Sequence, residues 1–279
     1  MCIRAGCARA PALGIGFRSE ARDATLQHLS ELDALELTVD HYIFGSPRFR
    51  CAIQGLSREI PLVAHGVGLS IGTALPPDRR YLDAVTQVLE LIDSPWYSEH
   101  LAFTKVPGTD LAQLLPLPRT RAVAEIVAAN VNSVRKHVGV PIALENITYY
   151  FEYPESELSE LEFIELCCRE SGAYVLLDVE NLYINSCNHG YDPFGFIDAL
   201  PEGLVKGIHV AGGIAQGELM IDSHDRPIPN GVLQLLRHVL QRQTPDAIIL
   251  ERDQRLDAFE EVLADIRELK NVVPDRAVK

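Results

Sequence analysis

One feature limits what this chain can fold into more than any other. Eight short, apolar, β-prone runs are each followed by a longer stretch of helical period. The runs are LGIGFR (13–18), ALELTVD (34–40), PLVAHG (61–66), WYSEHLAF (96–103), PIALENI (141–147), AYVLLDV (173–179), VKGIHVAG (205–212) and AIILERD (247–253). Strands separated by helices run parallel and are joined by right-handed crossovers. Eight such units in 279 residues predict an α/β fold, a (β/α)8 TIM barrel. An open doubly wound sheet is the alternative, but the first turn, GIGFRSE, lacks the G-x-G-x-x-G phosphate cradle that would favour it. Apolar Val123, Ile126, Val127, Val131 and Val134 mark a helix over Arg119–His137, and a second charged amphipathic stretch runs from Leu256 to Leu269. Pro118-Arg119-Thr120 precedes the first of these, Ser156-Glu157 opens another helix that Ser171-Gly172 closes, and Asp257 stands near the start of the last. No linker divides the chain, so one barrel is expected over 13–271, with tails at 1–12 and 272–279.

A barrel opens its site at the carboxyl ends of its strands, so the residues that end the apolar runs matter most. Strand three ends at His65, four at His100, five at Glu145, six at Asp178, seven at His209 and eight at Glu251. Successive members lie 31 to 45 residues apart, about one βα unit each, which predicts six metal-binding side chains around one mouth. Any one alone would read as a satisfied rim histidine or a helix cap. Six together would repel or stay unpaired unless cations held them, and nitrogen and oxygen donors without cysteine suit iron, manganese or zinc.

The loops add candidates. Asn181 and His189 follow Asp178, and Asp222 and His224 follow His209. If the stretch is extended, Asp222 and His224, two apart, point the same way and can share a metal. Asn188-His189-Gly190 reads as a turn whose histidine either binds metal or faces substrate, or is merely structural. The glycines of HGVGLSIGT and Gly212-Gly213 allow tight turns beside the site. His28, His137 and His238 fall on helices and read as surface, while His41 has no evident partner.

Composition then removes classes of function. With 25 basic against 39 acidic side chains the net charge is −14, which disfavours a nucleic-acid binder. No apolar run approaches the roughly 20 residues a bilayer needs, so no membrane partner is expected. The six cysteines follow no framework spacing, and Cys167 and Cys168 are adjacent in a helical stretch, so reduced thiols in the cytoplasm are expected. Cys2 and Cys7 alone make a poor metal site, and the start shows no export signal.

HGVGLSIG, SEHLAF, LPLPRT, LENITYY, LLDVENLYINSCNHGYDP, IHVAGG and LMIDSHDRPI, in that order, resemble the multinuclear non-heme iron-dependent oxidative enzymes, the MNIO family, from about Gly14 to Glu251. The resemblance implies a xylose-isomerase-like barrel that holds two or three irons and uses O2 as co-substrate. It also implies modification of a ribosomally made precursor peptide, usually at cysteine, as in methanobactin and 3-thiaglutamate biosynthesis, together with a partner protein that presents the peptide. Carried over by position, it makes His65, His100, Glu145, Asp178, Asn181, His209, Asp222, His224 and Glu251 the ligands, with Glu145 able to bridge two irons. Many relatives read SDH where this chain has Ser98-Glu99-His100, and LLDVNN where Glu180 precedes Asn181. Both departures sit beside ligands. Two other classes stay open: a divalent-metal isomerase or hydrolase on a similar barrel, and a non-catalytic peptide-binding or metal-storage module.

Overall fold

The structure is a computed structural model and describes residues 10–273. Most of the expected N-terminal tail, Cys2 and Cys7 included, and most of the expected C-terminal tail lie outside the described residues, and Ala12, expected in the tail, begins the first strand.

All eight strands form where the apolar runs fall. They are β1 (Ala12–Phe17), β2 (Ala34–Thr38), β3 (Leu62–Gly66) and β4 (Tyr97–His100), then, after a hairpin of β5 (Phe103–Val106) and β6 (Thr109–Leu115), β7 (Ile142–Glu145) and β8 (Tyr174–Asp178), β9 (Val205–Val210), and, after a second hairpin of β10 (Ile214–Gln216) and β11 (Leu219–Ile221), β12 (Ala247–Leu250). The strand order is that of a closed barrel, β1-β12-β9-β8-β7-β4-β3-β2, with parallel pairing in the registered pairs. Both faces of a parallel strand are covered, which is why runs such as Val175–Leu177 are continuously apolar and fully buried.

Helices follow each barrel strand: α1 (Arg22–Gln27), α2 (Pro47–Glu59), α3 (Arg79–Ile92), α4 (Arg121–Val138), α5 (Glu160–Ser171), α6 (Val179–His189) with α7 (Pro193–Ala199), α8 (Asn230–Arg242) and α9 (Phe259–Val272). Their caps correct one expectation. Helix α5 opens at Ser159, not Ser156, because Ser159 and Glu162 satisfy each other's backbone N–H groups in a capping box, while the Ser156 hydroxyl accepts from the Arg119 N–H. Helix α9 starts at Phe259 with Ala258 as its N-cap, two residues after Asp257, which does stand near its start. Thr120 caps α4 and Gly172 ends α5 in the left-handed conformation, both as expected.

The two hairpins are additions. In the first, the turn at Pro107-Gly108 has Gly108 at φ +79°, a position glycine takes without strain. The chain divides into two compact units, the described parts of Met1–Leu37 and Leu177–Lys279 forming one and Thr38–Leu176 the other. No helix among the described residues is long and apolar enough to cross a membrane.

Candidate functional site

In the unit Thr38–Leu176, His65, His100 and Glu145 come together at the carboxyl ends of β3, β4 and β7. Parallel register sets this: His65 stands opposite Ser98, and His100 opposite Glu145. The outer nitrogens of both histidines, the Nε2 atoms, lie 3.4 Å and 3.3 Å from the same oxygen, Glu145 Oε2. The inner nitrogens are tied to the strands. His100 Nδ1 stands 3.1 Å from the Gly66 carbonyl oxygen, which can only accept, so Nδ1 carries the proton. His65 Nδ1 stands 2.9 Å from Ser98 Oγ, whose own proton goes to the Ala64 carbonyl, so His65 Nδ1 donates as well. Both Nε2 lone pairs therefore face a carboxylate oxygen. Three electron-rich donors that converge in a buried pocket repel one another, and a cation among them turns that repulsion into binding.

Glu99 lies between these residues in sequence but does different work. It is buried, and its carboxylate accepts from the Tyr97 hydroxyl and from the Leu69 and His100 N–H groups. The near absence of a side chain at Gly66 makes room for this. A Cβ there would overlap the Tyr97 hydroxyl and stand 2.6 Å from Glu99 Oε2. The glycines of HGVGLSIGT thus serve close approach rather than turning. The left-handed residue in that loop is Ser70, at φ +59°.

In the other unit, Asp178, Asn181, His209, Asp222, His224 and Glu251 are set by β8, β9, the loop after β11 and the end of β12. Asp178 Oδ1 accepts from the Asn181 N–H at 2.7 Å and caps α6. His209 is fully buried, with Nε2 3.0 Å from Glu36 Oε2 and Nδ1 3.2 Å from Glu251 Oε2. Glu251 Oε2 is also 3.5 Å from His224 Nδ1, and the Arg18 guanidinium stands 3.7 Å from Glu251 Oε1 and 2.6 Å from Asp253. Burial opposes ionisation of Glu251, but His209, His224 and Arg18 outweigh it and hold its carboxyl well below the usual range.

His224 Nε2 lies 2.8 Å from Asp222 Oδ1 and 3.4 Å from Glu180 Oε2. Asp222 and His224 do meet, but not by strand alternation. The segment bends, with His224 at φ +48°, and this left-handed turn brings the imidazole back onto Asp222. Holding a non-glycine residue there costs on the order of 1 kcal/mol, a strain found where a side chain must be aimed. Burial lowers the His224 affinity for a proton, but Asp222, Asp253 and Glu251 raise it well above the ordinary value. Glu180, 1% exposed, is pushed up to about 9, mainly by burial, with Asp178, Asp222 and Glu251 adding and His224 opposing.

The remaining candidates lie apart from these groups. His189 is in the last turn of α6, not in a turn, because the helix continues to a left-handed Gly190; that puts it about 15 Å along the axis from Asp178. Asn188 beside it exchanges two hydrogen bonds with the Met220 backbone on β11. His137 and His238 are half-buried and each faces an aspartate on a neighbouring helix, Asp83 and Asp198. His28 follows α1 as its C-cap, and His41 is exposed. Strand-end reasoning misses Glu36 and Glu180. Glu36 sits in the middle of the fully buried β2, and a charged residue inside an apolar run is itself a sign of a buried partner.

Solved structures with similar barrels include endonuclease IV from Thermus thermophilus (TM-score 0.59, 16% identity, 94% of this chain and 98% of that one). D-allulose 3-epimerase from Methylomonas sp. is another (TM-score 0.60, 13% identity, 94% and 97%). At such identities they show the fold alone, a xylose-isomerase-like TIM barrel. Curated relatives include UPF0276 proteins of Acaryochloris marina, 33% identical over 256 residues (91% of this chain, 92% of that protein), and of Caulobacter vibrioides, 32% identical over 254 residues (91% of each). A family model described as RiPP precursor modification enzyme MbnB/TglH/ChrH matches residues 12–274. That match spans both clusters and nearly the whole chain, and the protein therefore belongs to this family of enzymes that modify ribosomally synthesised precursor peptides, the MNIO family its motifs resemble.

Proposed function

We propose that this enzyme is a multinuclear non-heme iron oxidase that uses O2 to modify a residue, cysteine by expectation, of a ribosomally made precursor peptide in the cytoplasm, with a partner protein presenting the peptide. The observation that carries the reading is the group of two imidazoles and one carboxylate, His65, His100 and Glu145, with both Nε2 lone pairs turned toward one Glu145 oxygen. Two histidines and a carboxylate are the donor set of ferrous oxygenases, which leaves coordination positions open to substrate and O2.

The donors present fit iron. His65, His100 and Glu145 would hold one ion, and Asp178, Asn181, His209, Asp222, His224 and Glu251 would supply the remaining ligands of a second and third. Bound ferrous iron would supply O2 activation. The protein's own part is orientation and charge. Ser98 and the Gly66 carbonyl fix the tautomers of His65 and His100. Glu36 orients His209 from the side away from Glu251, and His209, His224 and Arg18 together keep Glu251 ionised.

Anaerobic purification, an iron count, and O2 uptake with mass spectrometry of the genomically neighbouring precursor peptide test the reading. Expected are more than one iron per chain, O2 consumption that depends on peptide, and a mass change in the peptide. Zinc or manganese with no O2 dependence would point instead to an isomerase or hydrolase, and an unmodified but bound peptide to a binding module.

A further inference from the structure

Glu180 is absent from the ligand set just named, yet its surroundings do not explain it as a structural residue. It is the second residue of α6, where a glutamate ordinarily lies in water and interacts with the helix dipole or the first N–H groups. Here it is 1% exposed, and neither carboxylate oxygen accepts a hydrogen bond. A buried carboxylate in that state costs several kcal/mol unless a cation is close. The His224 imidazole, 3.4 Å away, fills the role only in part: no aligned hydrogen bond forms between the two, and Asp222 Oδ1, 2.8 Å from the same nitrogen, competes for it.

The spacing fits one shared ion. Donors roughly 2.1 Å from a metal at angles between octahedral and tetrahedral stand about 3.0 to 3.4 Å from each other. The separations at His224 are 2.8 and 3.4 Å, close to that range, and the same 3.3 to 3.4 Å recurs among His65, His100 and Glu145. Gly213 completes the cradle: a Cβ there would overlap the Ile221 carbonyl oxygen and stand 2.7 Å from Glu180 Oε1. Two carboxylates and one imidazole make a hard, doubly anionic donor set, which suits Fe(II) or Mn(II) better than Cu(I).

We infer that Glu180, with Asp222 and His224, binds a divalent metal ion directly, as a ligand that the family resemblance does not assign. The inference rests on the proposed metal-dependent function and deepens it.

The full-length chain, stripped of metal and titrated with Mn(II) while free Mn(II) is followed by electron paramagnetic resonance, tests it without any assay of activity. His224→Ala shows what loss of this site looks like, and His100→Ala what loss of the strand-borne site looks like. Glu180→Gln, which keeps the shape, is expected to weaken by tenfold or more the same binding step that His224→Ala removes, and to leave the step lost in His100→Ala unchanged. Glu180→Asp should recover part of the affinity. In the metal-free state Glu180→Gln should melt no lower than the wild type, because a carboxylate without hydrogen bonds has been removed from beside Asp222. A titration of Glu180→Gln identical to wild type overturns the inference and leaves the metal-dependent reading standing. So does a lower metal-free melting temperature, which would make Glu180 an ion-pair partner of His224. A wild-type chain that binds no Mn(II) and no anaerobically supplied Fe(II) overturns both.

Discussion

The two clusters place similar donors on different supports. His65, His100 and Glu145 stand on three barrel strands, and each imidazole is held from behind by a group of the sheet, Ser98 or the Gly66 carbonyl. Asp222 and His224 stand on a bent loop after a three-residue strand, with His224 in a left-handed conformation, and Glu180 on the first turn of a helix. The first set carries one carboxylate and the second two, with Asp178, Glu251 and Asp253 near them in the same unit. A strand sets geometry through the ladder, and a neighbouring group of the sheet then fixes the ring. The loop-borne pair has no ladder behind it and is aimed instead by the left-handed backbone at His224.

If that contrast is right, crowding the strand ends should damage the fold, whereas removing a group that aims a ligand should damage metal binding first. The largest effect is expected from Gly66→Ala, because the added methyl meets the buried Tyr97 hydroxyl and Glu99: about 3 kcal/mol or more of stability, read by urea unfolding. Gly213→Ala crowds the Ile221 carbonyl oxygen and Glu180 and should cost stability too, but unlike Gly66→Ala it should weaken metal binding at the loop-borne site, and unchanged binding there would break the comparison. Next, Ser98→Ala removes the group behind His65 and should lower metal affinity at the strand-borne site by about 10- to 100-fold with the circular dichroism spectrum unchanged.

A smaller effect separates two roles of Asp178. Asn caps a helix as well as Asp, so Asp178→Asn should leave metal-free stability within a few tenths of a kcal/mol of wild type, whereas Asp178→Ala should lose about 1 kcal/mol. Both should bind less metal, and normal metal content in the Asn variant would confine Asp178 to capping. The smallest concerns Asp265, paired with Arg252 at 2.6 Å and pushed up to about 6 by burial, which Arg252 only partly offsets. A carboxyl raised in the folded state holds its proton more tightly there than when unfolded. Its contribution to stability therefore falls as pH rises from about 4 to about 6. Asp265→Asn should flatten that part of a stability-against-pH curve, and an unchanged slope would remove Asp265 as its source.

The same contrast explains which residues the sequence makes conspicuous. Barrel strands announce themselves by continuous apolar runs, and a polar residue that ends such a run stands out, so His65, His100, Glu145, Asp178, His209 and Glu251 are all legible as strand-end residues. Glu36 is not, because it interrupts β2 from within, and neither is Glu180, which reads as an ordinary acidic first-turn residue until its burial is known. The hairpins β5–β6 and β10–β11 leave little apolar signal, since their residues are mostly exposed or half-buried. Asp222 and His224 meet for a reason other than the one their spacing suggests. Two-residue spacing implies alternation along a strand, whereas a left-handed bend brings them together.

The Asn188 clip has a further consequence. The Asn188 side chain ties Met220 to the last turn of α6, and the His224 carbonyl accepts from the Asp253 N–H at 2.9 Å. The segment that carries Asp222 is thus anchored on both sides. Opening it would break hydrogen bonds at each anchor, so slow amide exchange is expected at Met220 and Asp253. Asp222 is therefore carried on a segment that resists local opening, even though no strand ladder runs through it.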